Sequence, residues 1–129
     1  MPLVYRVENK NGLGPYRYVL GHQKAKSLQK MTEHHNLSSD HPAPYSDCRR
    51  EMSKGDFCGF LSKPQLLQWF KGYLRALEKE GFFLAVYAPA RLLARSKRGT
   101  GQVIFKKPNR QPRAKMKIAK ADIPLKAKG

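Results

Sequence analysis

Arg91, Arg95, Lys97 and Arg98 are followed by Lys106, Lys107, Arg110, Arg113, Lys115, Lys117 and Lys120. Cations at this density suit phosphate groups. Each phosphate neutralised releases a counterion, so such binding depends steeply on salt. Lys and Arg contacts to phosphate position a protein on nucleic acid without reading its sequence. The stretch from Lys106 onward holds no aromatic residue. Stacking platforms for bases must therefore come from elsewhere, with Tyr5, Tyr16, Tyr18 and Tyr45 as candidates.

A second set of reactive types is His34, His35, His41, Cys48 and Cys58. Imidazole and thiolate are zinc donors, but no CxxC or HxxxH pair is present, so no metal is expected. A Cys48–His41 nucleophile–base pair has no supporting signature. Asp40, Asp47, Glu51 and Asp56 share one stretch, but no motif fixes them as a metal-dependent nuclease site. Gly12-Leu13-Gly14 reads as a turn and not as a nucleotide fingerprint, because the following glycines and helix pattern are missing. No catalytic residue and no cofactor follow from the residues alone.

The elements that must position these groups form a short chain of 129 residues with a net charge of +17. Residues 1–62 carry 9 basic and 6 acidic groups, residues 63–98 carry 8 and 2, and residues 106–129 carry 9 and 1. The charge thus rises toward the C-terminus, and a field of that sign gathers polyanions. With 40% apolar residues the chain can fill one core. No apolar run approaches the roughly 20 residues that cross a bilayer. Two cysteines do not make a disulfide scaffold. A soluble protein of a reducing cytoplasm is expected, with no membrane partner.

Strands are expected at residues 3–8, weakly at 16–20, at 57–61, at 82–87 and at 103–105, from β-branched and aromatic runs bounded by turn residues. A thin apolar stripe predicts a weaker helix over 22–33. Residues 34–57 read as a long loop and 88–102 as a flexible connection. Ser62, Pro64 and Gln65 announce a main helix over 63–80, closed by Gly81. The fold class is α+β, with a small, mainly antiparallel sheet. Residues 1–106 form one globular domain, and 107–129 form a basic tail, extended or disordered without a partner, whose removal leaves the domain folded.

Val4-Tyr5-Arg6-Val7-Glu8, Gly12-Leu13-Gly14-Pro15-Tyr16, His41-Pro42-Ala43-Pro44-Tyr45, Cys58-Gly59-Phe60-Leu61-Ser62 and Gln102-Val103-Ile104-Phe105 occur in that order. This order resembles small proteins encoded by phages and prophages, over roughly residues 3–106. The resemblance implies an accessory role in infection, such as host takeover or anti-defence. The chain is also similar to ADP-ribosyltransferase-like domains. Those carry Arg or His on an early strand, Ser on a second strand before a helix and Glu near a third strand, and Arg6, Ser62 and Gln102 fall in that order. The likeness implies that Arg6 would hold a cofactor phosphate or ribose. Gln102 lacks the negative charge that favours an oxocarbenium-like transition state, so weak or no activity is implied.

The leading expectation is a phage-type accessory protein that occupies nucleic acid or a nucleoprotein complex through Arg91, Arg95, Lys97, Arg98, Lys106, Lys107, Arg110, Arg113, Lys115 and Lys117. The alternative is an inhibitor whose basic face engages an acidic surface of a host protein.

Overall fold

The computed structural model describes residues 3–16, 26–88, 91–106, 108 and 112–118. In chain order the elements are β1 (Val4–Glu8), α1 (Lys26–Leu37), α2 (Pro44–Asp47), β2 (Asp56–Phe60), α3 (Lys63–Trp69), α4 (Leu74–Lys79), β3 (Phe83–Tyr87), β4 (Arg91–Arg95), β5 (Gln102–Lys106) and β6 (Ala114–Met116). The strands make one sheet in the order β4-β5-β2-β1-β3-β6, and every neighbouring pair is antiparallel. The fold class is α+β, as the sequence implies. β2 and β3 both run antiparallel to β1, so they are parallel to each other. The α3–α4 segment joins them across β1, giving a split strand–helix–strand unit. Among the described residues no helix is long and apolar enough to cross a membrane.

The expected strands at 3–8, 57–61, 82–87 and 103–105 correspond to β1, β2, β3 and β5. Of the weak strand at 16–20, only Tyr16 lies within the described residues. The helix expected at 22–33 extends further toward the C-terminus. Residues 22–25 lie outside the described residues, and α1 continues to Leu37. Its buried stripe is Leu28, Met31 and His35, at helical spacing, so a histidine extends the apolar face past position 33. The expected 34–57 loop is further interrupted by α2, which starts at Pro44.

The expected single helix 63–80 is two helices. Gly72, at φ 91°, takes a left-handed turn that no regular helix contains. The predicted start is correct: Ser62 Oγ accepts from the Gln65 backbone N–H at 3.3 Å. The end is also correct. The Phe82 N–H donates to the Leu77 carbonyl at 3.0 Å and the Gly81 N–H to that of Glu78, the paired bonds of a left-handed C-cap.

Two segments join the sheet against expectation. Arg91–Arg95 is read from its sequence as connection, yet it pairs with β5. Pairing to a preformed neighbour overrides its weak intrinsic preference. In the C-terminal segment, Ala114–Met116 pairs with β3. Ile118 is 2% exposed and sits in the core with Leu84, so the segment expected as an extended or disordered tail contributes an apolar side chain to the core.

The core has two parts. On one face of the sheet, Val7, Phe60 and Leu84 meet Leu28 and Met31 of α1, Leu66 and Trp69 of α3, and Leu74 and Leu77 of α4. On the other face, strand residues pack on each other: Val4, Ala85, Tyr87, Val103 and Phe105. The Tyr87 and Phe105 rings are 5.5 Å apart although β2 and β1 lie between their strands. Three strand spacings in a flat sheet amount to about 14 Å. The sheet therefore curls over this face.

Gly59 lies under the curl: a β-carbon there would stand 2.5 Å from Val4 Cγ1 and 2.8 Å from the Tyr5 carbonyl oxygen. Arg6 and Glu8 also serve this face. Tyr87 Oη donates to Glu8 Oε1 at 2.7 Å, Arg6 Nε lies 3.4 Å from the same oxygen, and Arg6 Nη1 donates to the Cys58 carbonyl at 2.8 Å. We expect Gly59→Ala to destabilise the protein by about 1–3 kcal/mol through overpacking, measured by urea denaturation. An unchanged midpoint would show that β1 and β2 yield freely at this point.

Candidate functional site

The basic residues divide between two edges of the sheet. Arg91 and Arg95 are exposed on β4, an edge strand, and Lys106 on β5 is opposite Arg91. Lys97 and Arg98 are exposed in the hairpin that joins β4 to β5. These five cations share the β4–β5 hairpin: Arg91 and Arg95 on the edge strand, Lys97 and Arg98 in the turn, and Lys106 on the neighbouring inner strand. Arg113, Lys115 and Lys117 are exposed on or beside β6, the opposite edge strand. Lys115 Nζ lies 5.4 Å from the centre of the Phe83 ring. Lys107, Arg110 and Lys120 lie outside the described residues.

The hairpin is held by a carboxylate that the sequence alone does not single out. Asp47 is 0% exposed. Ser96 Oγ donates to its Oδ1 at 2.6 Å. Thr100 Oγ1 and Gln102 Nε2 donate to its Oδ2 at 2.6 and 2.9 Å. The Lys97 N–H donates to the Asp47 carbonyl at 2.7 Å. Burial pushes the Asp47 carboxyl up, but the bonds from Ser96, Thr100 and Gln102 outweigh it and hold the group below its ordinary value. Ser96 Oγ also accepts the Arg98 and Thr100 N–H groups, so the turn between them is tied at both ends. Arg98 Nη2 reaches Ser46 Oγ at 3.4 Å. The cations at 97 and 98 are thus displayed on a loop pinned from beneath.

Beside this hairpin lies a cluster of rings. Trp69 Nε1 donates to Tyr16 Oη at 2.7 Å, and Tyr16 Oη bonds His35 Nδ1. His35 stacks on His41, with ring centres 3.8 Å apart, and His41 Nε2 bonds the Trp69 carbonyl at 2.8 Å. His34 Nδ1 bonds Tyr73 Oη. Trp69, Tyr16 and His35 thus form one hydrogen-bonded chain, with Tyr16 Oη accepting the indole proton. Burial, with His41 and His34 nearby, pushes the His35 imidazole down to about 4. Among the described residues no three His, Cys, Asp or Glu side chains gather to hold an ion. Cys48 is buried, and burial with Asp47 beside it pushes its thiol up to about 11, a poor nucleophile.

Arg6 and Gln102 line one cavity of about 230 Å3 where β1 parts from β2, whereas Ser62 is not in that lining. Each has structural partners. Arg6 bonds the Cys58 carbonyl, Ser62 caps α3, and Gln102 uses both amide hydrogens, on Asp47 and on the Pro42 carbonyl at 3.1 Å.

Asp47→Ala leaves three donors without their acceptor. We expect a loss of about 3–4 kcal/mol and faster trypsin cleavage after Lys97 or Arg98, read by mass spectrometry of the fragments. Unchanged cleavage would mean that the loop holds itself. A second expectation concerns pH. His35 has a folded value below the ordinary 6.5. The unfolded chain therefore binds the proton first, and stability is full above about 6.5 and falls between about 6.5 and 4. A loss of order 3 kcal/mol is expected over that window, in urea melts at several pH values. His35→Gln should flatten it, whereas the contribution of Asp47 is lost only at lower pH.

Searches among curated proteins and among solved structures returned no match. One family, described as Bacteriophage T4 Y00F protein, matches residues 1–119. This range takes in every strand of the sheet, β6 and the buried Ile118 included. It supports the likeness to phage-encoded proteins and adds nothing to the likeness to ADP-ribosyltransferases. The chain belongs to the bacteriophage T4 Y00F protein family.

Proposed function

We propose that this phage protein binds nucleic acid, bare or within a nucleoprotein, through phosphate contacts made by Arg91, Arg95, Lys97, Arg98 and Lys106. The observation that carries the reading is their placement. Residues 91–106 contain these five cations and no acid, and all five lie on the β4–β5 hairpin, whose first strand is the sheet edge. A pinned loop loses little conformational freedom on binding, so its charges act at low entropic cost. The mechanism is occupancy: the basic edge covers a phosphate backbone and blocks or recruits other factors there. The setting is the infected bacterial cell, in host takeover or in countering host defence. The cations at 113, 115 and 117 sit on the other edge and serve as a secondary contact.

The test is binding of labelled single- and double-stranded DNA across a salt series. For wild type the log of affinity should fall steeply with log salt. Replacing Arg95, Lys97 and Arg98 together by Ala should flatten that slope by about two to three units. Replacing Arg113, Lys115 and Lys117 should flatten it less. Absence of binding at low salt would sink the reading, and an acidic protein surface would become the partner to seek.

A further inference from the structure

A cleft of about 560 Å3 opens next to the basic hairpin, among α1, the 38–43 loop, α2 and Trp69 of α3. Its volume suits an organic group of moderate size, since such sites span about 300–1,000 Å3. Tyr16, His35 and Trp69 make up part of its wall as one bonded unit. Two further lining residues have a different character. Tyr45 is 64% exposed, a large aromatic ring left in solvent at the start of α2. Arg98 is exposed and bonded to Ser46 Oγ, which also lines the cleft.

We infer that this cleft receives one unstacked base of a single-stranded nucleic acid, with Arg98 pairing a phosphate of the same strand. The inference deepens the proposed function and rests on it. Every base has a π-face, and stacking on an aromatic side chain stabilises a bound strand without demanding a sequence. Tyr45 supplies that ring, and Arg98 supplies the charge next to it. Asn36 and Ser38, also in the lining, offer groups that pair with a base edge. A base in duplex must first leave its stack to enter, so the cleft adds affinity for single strands only.

The probe is a single strand of about ten thymidines carrying one central 2-aminopurine, whose fluorescence falls when it stacks; a duplex of the same sequence is the comparison. Wild type should quench the single strand. Tyr45→Ala should weaken single-strand binding by about 5- to 100-fold, leave the salt slope unchanged and leave duplex binding unchanged. Tyr45→Phe should restore both affinity and quenching. Arg98→Ala should lower the salt slope by about one. The exposure of Tyr45 keeps these substitutions clear of the core, and a thermal melt checks each variant. If the single strand binds but Tyr45→Ala binds and quenches like wild type, the cleft is not the base site and the basic edge stands alone. If neither single strand nor duplex binds at low salt, both readings fall.

Discussion

Asp47 is the constraint on which the basic hairpin depends. A carboxylate taken out of water costs several kcal/mol unless hydrogen bonds replace its hydration. Here Ser96, Thr100 and Gln102 replace it, all three from the hairpin and strand that follow β4. The donors cannot leave without stranding the charge, so α2, the turn and β5 are tied to one another. The Lys97 backbone bond to the Asp47 carbonyl adds to the same joint. A negative charge buried under the turn also offsets part of the repulsion among Arg95, Lys97 and Arg98. The basic loop thus has its shape and part of its charge balance from one residue.

The curl of the sheet solves a different problem. All the helices whose residues enter the larger core cluster pack on one face, so the other face would be open if the sheet were flat. Curling lets Tyr87 and Phe105 cover it from opposite sides. Gly59 permits the close approach, Tyr87 Oη donates to Glu8 in that interior, and the Arg6 guanidinium lies beside the same carboxylate. This explains why Arg6 and Gln102, residues of catalytic type, are held by structural bonds: each closes a place where two layers meet.

The strands were legible because Val4-Tyr5-Arg6-Val7 and Phe82 to Tyr87 are rich in residues that fit a pleated surface. The start and end of the main helical segment were legible from Ser62 and Gly81. The break at Gly72 was not, since one glycine in a helical pattern reads as a tolerated residue. Arg91–Arg95 and Ala114–Met116 have little strand character of their own and depend on neighbours that only the fold supplies. At the site, the cations announced themselves by density. Asp47 did not, because its partners lie about fifty positions away and no local spacing marks them. His35 was hidden for a similar reason: its type suggests a ligand, and only packing shows it as part of an apolar stripe.

β4 ends the sheet, and an edge strand leaves backbone donors and acceptors open on its outer side. Left bare, such an edge invites a second copy to pair and the sheet to grow from molecule to molecule. Arg91 and Arg95 stand at the two ends of that strand, and two copies brought edge to edge would set like charges against each other. The same cations therefore oppose edge-to-edge pairing of two copies. Neutralising them would remove that safeguard, so the charge of this edge and the tendency of the sheet to grow are two sides of one property.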